Sequence, residues 1–425
     1  MKCRGIVTAL LAALALFPGV AFSQQESGAD SPSSPALRIL SLAGQSSDSF
    51  PYYLQILSLG NPGDNDYAGQ FTATLEAEMG LYDQAVATFP MGPATVYTPS
   101  PLPANQAEVA DAADVIARMA RERRVVIVNE AHHVAQTRGL FLDLLPRLRQ
   151  LGFTHYCAET LDSDAATQLR ERGYPLRKDG MYSREPVFGE VVRAATRLGY
   201  TVCGYESDAA VQQERETGQA RNLTALLRND PEARILVHAG YMHARKALSA
   251  YMPMAAELER LTGIEPLTVD QTTLRPDIPV SRENAAYRAL SARIEGAKHA
   301  SVFVDATGKP WSLEPDAYDV SVILPDLVPT HGRAGWLWEI PGKQVVAEFD
   351  ADCMDHYPCA IEARHAGESD DAVPADIVVH AKADGAAPAL ALAPGGYRLR
   401  TVAPDGHTLR EADLTVTTPG ETSWN

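Results

Sequence analysis

Val125-Val126-Ile127-Val128-Asn129-Glu130-Ala131-His132-His133 decides the fold. Four apolar residues of strand character end abruptly in an amide, a carboxylate and two imidazoles. Three further segments repeat the pattern: Thr154-His155-Tyr156-Cys157 running into Glu159, Thr201-Val202-Cys203 into Glu206, and Ile235-Leu236-Val237 into His238 and then His243. In a sheet of buried parallel strands the apolar run fills the core, and the carboxyl ends open onto the crevice where ligands bind. Ionisable residues gathered at four such ends predict a reaction centre.

The segments between these strands carry helical patterns at 108–122, 137–151, 186–198, 208–229 and 243–262, a strand–helix alternation that predicts parallel strands joined by crossover helices. Further strands are expected at 266–269, 300–304 and 318–324, with a helix at 282–295. The fold class is therefore α/β over residues 108–343, with a mainly parallel central sheet. Residues 24–107 read as a helical N-terminal segment followed by a proline-rich linker at 93–104. Within it, Glu78-Met79-Gly80-Leu81-Tyr82 has the look of the turn in one tetratricopeptide helix pair, and a single copy does not make a repeat array. Residues 344–425 change to short strands with turns at Pro394-Gly395-Gly396 and Pro404-Asp405-Gly406, the pattern of a small appended β-sandwich.

Residues 1–23 read as a secretory signal peptide, because Lys2 and Arg4 precede an apolar run that ends at Ala21-Phe22-Ser23. Export to the periplasm or the exterior follows, and no later stretch reaches the ~18 apolar residues of a membrane span. Removing Lys2 and Arg4 with the leader leaves 35 basic residues against 54 acidic ones, a balance of −19. That excess disfavours nucleic acid as a partner and suits a neutral or cationic small molecule or peptide. In an oxidising compartment Cys353 and Cys359 are expected to form a disulfide, whereas Cys157 and Cys203, inside apolar strands, read as buried free thiols.

The candidate catalytic residues are Glu130, His132, His133, Glu159, Glu206 and His243. Successive residues in a strand-to-helix turn diverge, so one of His132 and His133 faces the crevice while the other packs. Arg215, Gln219 and Asn222 share one side of a helix, and with Tyr241 and Arg138 they are the candidates for substrate binding. Arg138 otherwise reads as a surface residue, Glu206 as a helix cap and His238 as a core histidine with a hydrogen-bond partner. There is no G-x-S-x-G elbow, H-E-x-x-H helix or nucleotide-binding glycine loop.

These residues carry a resemblance. Glu130-Ala131-His132 resembles the first signature of the Tiki superfamily, which includes haem-uptake proteins of the ChaN type, and Gly240-Tyr241-Met242-His243 resembles its later one. Glu130-Ala131-His132-His133, together with Arg215-Glu216, Ala220 and Asn222, is similar to motifs of erythromycin-esterase-like hydrolases. Asn129 stands where the first motif has glycine, and Gln219 where the helix motif has methionine. The resemblance covers about residues 125–270 and implies a secreted hydrolase acting on an ester, lactone or amide. Its Glu/His site would work metal-free or with a divalent metal such as zinc or manganese, held by Glu130, His132, Glu159 and His243. The alternatives are a haem or small-ligand binding protein, with His132, His243 or Tyr241 toward the iron, or an inactive interaction protein.

Overall fold

The computed structural model describes residues 35–418, apart from 44–45, 47, 60–65, 90–98, 162, 383–384 and 386. The expected signal peptide, most of the lead after it and much of the proline-rich linker lie outside the described residues. Eight strands form one sheet in the order β1 (Glu108–Asp111), β7 (Ser301–Val304), β8 (Val320–Ile323), β6 (Leu267–Leu274), β2 (Val125–Glu130), β5 (Ile235–Gly240), β3 (His155–Ala158) and β4 (Thr201–Gly204). From β8 to β4 every pairing is parallel, and β7 runs against both of its neighbours.

Side chains alternate across a strand, and the sheet uses that alternation to make two cores. Val126, Val128, Tyr156, Ala158, Val202 and Leu236 pack on one face, under the helices Gln136–Gln150 and Pro186–Arg197. Val125, Ile127, Cys157, Ile235 and Val237 pack on the other, under Gln212–Asn229 and Met254–Thr262. The central strands β2 and β5 bury both faces completely, which is why the sequence shows unbroken apolar runs there. The two layers of helices leave only the strand ends open to polar residues.

Four expected helices are shorter than their patterns: 208–229 starts at Gln212, 282–295 is α-helical only over Ala285–Leu290 before a 3-10 turn, and two others are redrawn. Residues 108–111 pair with β7 instead of coiling, and Asp111 then caps Ala112–Ala120 by accepting from the Asp114 N–H at 2.9 Å. The expected helix at 243–262 is a single 3-10 turn, Tyr241–Ala244, separated from Met254–Thr262. Pro253 disfavours helical backbone before it and starts the second helix.

The terminal segments share cores. Phe50, Tyr53, Phe71, Leu75 and Met79 of the N-terminal helices pack against Ala360, Ile377 and Val402. Those three belong to the antiparallel sheet of β11 (Asp376–His380), β10 (Cys359–His365), β13 (Gly395–Val402) and β14 (Thr408–Val416). A two-stranded ribbon, β9 (Gln344–Val346) with β12 (Leu390–Leu392), lies against the same unit. Gly80 turns the chain between the helices Asp66–Glu78 and Tyr82–Thr88 at φ +70°, and an added β-carbon there would overlap the Ile377 carbonyl. Only glycine meets both demands.

Cys353 and Cys359 are joined by a disulfide. So are Cys157 and Cys203, which corrects the expectation of two free thiols. They occupy directly paired positions of β3 and β4, a register that the sequence does not display. The bridge spans 46 residues of sequence, so chain entropy alone makes it worth roughly 3–4 kcal/mol. Replacing both by serine should lower the denaturation midpoint accordingly. Equal midpoints for the two proteins would show that the bridge carries no stability.

Candidate functional site

Glu130 is the last residue of β2, and its buried carboxylate collects three partners. His132 Nδ1 stands 2.8 Å from Oε1, Arg138 Nε donates to Oε2 at 2.8 Å, and His238 Nε2 lies 2.8 Å from Oε2. Arg138 is not at the surface as its place in the sequence suggested. It is fully buried, and its other nitrogens donate to Glu185 Oε2 at 2.8 Å and to the His132 carbonyl at 2.7 Å. Burial opposes the Glu130 charge, but Arg138 and His238 overcome it and hold the carboxyl well below the ordinary range.

This arrangement fixes the protons. Burial lowers the pKa of His238, so its ring is neutral. Tyr156 Oη lies 2.7 Å from His238 Nδ1, so the phenol donates there and Nε2–H faces Glu130. Phe141 and Phe188 sandwich the ring at centroid distances of 3.7 and 4.8 Å. His238 is thus a core histidine whose carboxylate partner is the site glutamate. Glu130 in turn accepts a hydrogen bond from the Nδ1–H of His132, which leaves the lone pair of that ring on Nε2.

A second cluster lies over the other face of the sheet. Arg215, buried in the helix Gln212–Asn229, donates to Glu159 Oε1 at 2.6 Å and pairs with Glu206 through Nη2 and, at 3.0 Å, through Nε. His243 puts Nδ1 2.8 Å from Glu216 Oε2, with Nε2 3.0 Å from Arg215 Nη1 and 3.5 Å from Glu159 Oε1. Burial works against a charged ring, yet Glu216 and Glu159 raise His243 to about 10. The neighbouring guanidinium reduces that rise without reversing it. Burial likewise opposes the Glu159 charge, and His243 and Arg215 keep it well below the ordinary carboxylate range.

The clusters meet at Gly240, where β5 ends. Its N–H donates to Glu159 Oε2 at 2.5 Å, and an added β-carbon would stand 2.5 Å from His132 Cε1 and 2.9 Å from Glu159 Oε2. Gly240→Ala should therefore displace His132 or Glu159. A variant that keeps the wild-type melting temperature and the wild-type His132 proton shifts would contradict this close approach.

The raised pKa of His243 has a consequence for stability. With a folded value near 10 against an ordinary 6.5, its contribution is complete below pH 6.5 and is lost as pH rises toward 10. Denaturation midpoints should fall across that window, and His243→Gln should flatten the fall. A parallel decline in both proteins would remove His243 as its source.

Not every candidate joins these clusters. His133 turns the other way, edge-on to Phe89 at 5.2 Å, with Nδ1 3.4 Å from Tyr241 Oη. Burial and then Arg275 hold its pKa well below the ordinary value, so it is a neutral packed ring. Asn222 is exposed and donates to the carbonyls of Tyr205 and Glu206, so it pins the exit of β4 and does not face the crevice. Glu206 caps no helix; it accepts from Arg215, from Gln219 and from the Ser207 N–H, with its side chain 27 % exposed. Tyr241, at φ +38°, stands edge-on to His132 at 4.8 Å.

Sequence reasoning missed Glu185, Glu216 and Tyr182. Glu185 caps the helix Pro186–Arg197 through the Val187 and Phe188 N–H groups while binding Arg138, and an acid before Pro186 was a legible cap signal. Glu216 sat beside Arg215 in the motif already singled out. Tyr182 stacks on His132 with centroids 3.7 Å apart and planes within 7°, and nothing in its sequence context announces this contact.

No family model matches the chain, and no curated protein matches it. A solved structure described as that of the type III effector HopBA1 aligns with 41 % of this chain and 87 % of its own at 13 % identity and a TM-score of 0.30. Another, described as bacterial protein toxins, aligns with 49 % of this chain and 44 % of its own at 12 % identity and a TM-score of 0.29. The chain is similar to both only at this level.

Proposed function

We propose that the chain is a metal-free hydrolase that opens an ester, lactone or amide, with His132 as general base. The observation that carries the reading is the orientation of that ring. Nδ1 is held by Glu130 at 2.8 Å, so the lone pair sits on Nε2, on the side of Gly240 and Glu159. In this mechanism Nε2 takes a proton from the water that attacks the carbonyl carbon, and Glu130 stabilises the imidazolium that forms. The same proton then goes to the departing oxygen or nitrogen, which restores the neutral ring. Arg138 and His238 keep Glu130 ionised throughout, so it orients the base without becoming protonated. Tyr182 covers the ring, so this mechanism requires it to move aside for substrate.

The metal alternative fits the residues poorly. Arg138 occupies both oxygens of Glu130, and Arg215 with the Gly240 N–H occupies those of Glu159. Two guanidinium ions already supply the positive charge a divalent ion would bring. Among the described residues no three His, Cys, Asp or Glu side chains gather in a metal-holding group. Haem through His243 is likewise disfavoured, since Glu216 and Glu159 keep the ring protonated and leave no lone pair for iron. The two disulfides accord with the proposed periplasmic or secreted location. Among the described residues no helix is long and apolar enough to cross a membrane.

The test is a screen of chromogenic esters, lactones and peptides, with and without chelator. The proposal expects turnover that survives chelation and falls at least about a hundredfold in His132→Gln. Turnover abolished by chelator, or retained by the variant, would overturn it.

A further inference from the structure

Of the buried arginines near the strand ends, Arg138 and Arg215 are saturated. Arg138 lies between Glu130 and Glu185, and Arg215 between Glu159 and Glu206. Arg275, which follows β6 directly, is different. It is 5 % exposed, and among the described residues its Nε has no hydrogen-bond partner and Nη1 donates only to the neighbouring Pro276 carbonyl at 3.1 Å. Asp277 stands with Oδ2 3.6 Å from Nη2, while its Oδ1 accepts from the Ile278 N–H at 2.9 Å. A buried guanidinium with a spare donor and one distant counter-charge is costly unless something else completes it.

Its surroundings indicate what would. β6 pairs with β2, so Arg275 emerges on the side of the crevice away from Arg215, where its charge bears on Tyr241 and His133. Tyr241 Oη is bonded by the His132 backbone and has a long contact of 3.4 Å to His133 Nδ1, and the residue is held at an uncommon φ of +38°. Tyr241 also stands edge-on to His132, so whatever Arg275 and Tyr241 hold lies beside the proposed base. We propose that Arg275 and the Tyr241 hydroxyl form a subsite for a compact oxyanion, a carboxylate or phosphate group carried by the ligand. Arginine offers a planar fork of donors that matches either group, and the phenol adds a third. Arg275 stands there against the charges of Glu130 and Asp277, so the anion is held by the guanidinium fork and not by an overall positive field.

The inference deepens the hydrolase reading by naming an anionic group on the substrate, but its test needs no turnover. Acetate, benzoate and inorganic phosphate are titrated into the full mature chain at constant ionic strength, with binding read by calorimetry and by the shift in melting temperature. At least one should bind saturably, and the preference between the planar carboxylates and tetrahedral phosphate identifies the group. Arg275→Gln should weaken binding at least about tenfold, and Tyr241→Phe about threefold. Arg275→Lys keeps the charge and loses the fork, so it serves if the glutamine variant fails to fold, and it too should bind more weakly. No saturable binding of any of the three, or wild-type affinity in a folded Arg275 variant, would overturn the proposal. Anion binding that persists in an inactive His132→Gln chain separates the subsite from the catalytic reading.

Discussion

Replacing Glu130 by Gln is expected to cost turnover at least about a hundredfold and to lower stability by roughly 3 kcal/mol. Glutamine offers one acceptor oxygen where the carboxylate serves His132, Arg138 and His238, and its amide directs N–H groups at donors. Arg138 would keep Glu185 but lose its other counter-charge. Because fold and chemistry fall together in this variant, His132→Gln is the comparison. It leaves the bonds from Glu130 to Arg138 and His238 intact, so it should lose turnover and keep most of the stability. The pH dependence gives a second reading. Glu130 is depressed below its ordinary 4.5, so its contribution is present above pH 4.5 and is lost as pH falls through the lower folded value. The acid limb of stability should therefore be shallower in Glu130→Gln. An unchanged acid limb, or full turnover, would show that Glu130 is not the organising charge.

A chain ended at residue 343 is expected not to fold, although the sequence presents 344–425 as an appended unit. Arg177 pairs with Glu362 at 2.8 Å and Arg333 with Asp376 at 3.0 Å, all four side chains buried. Truncation strands both arginines, and breaking one buried pair costs about 3–5 kcal/mol against a typical total stability of roughly 5–15 kcal/mol. It also removes Ala360, Ile377 and Val402 from the core of the N-terminal helices. The site would suffer too. Val373 N–H donates to the Pro175 carbonyl, and Leu176 bridges Ala372, so the β unit anchors the segment that carries Tyr182 and Glu185 to the histidines. A soluble 24–343 chain with one cooperative calorimetric transition would refute this expectation.

The central strands were legible because they are buried on both faces, and an unbroken apolar run has few other uses in a chain this polar; exposed β1 was not. The residues after them were legible because a carboxylate or imidazole at the end of a buried strand needs a partner or water. Which of His132 and His133 faces the crevice was not, since two adjacent residues in a turn differ only in direction. Arg138 was misjudged for a related reason. Nothing local distinguishes an arginine held by a distant Glu185 from one in solvent.

Thus the sequence by itself determined the parallel α/β core, the four strand ends and most of the ionisable groups there, because periodicity and burial are local properties of a chain. Only the tertiary structure decided the pairing. It split the groups into a Glu130–His132–Arg138–His238 cluster and a Glu159–Arg215–Glu206–His243 cluster on opposite faces, joined β3 to β4 by Cys157 and Cys203, and left Arg275 short of a counter-charge. Charge compensation in a low-dielectric interior acts between residues far apart in sequence, and register and packing alone bring those residues together.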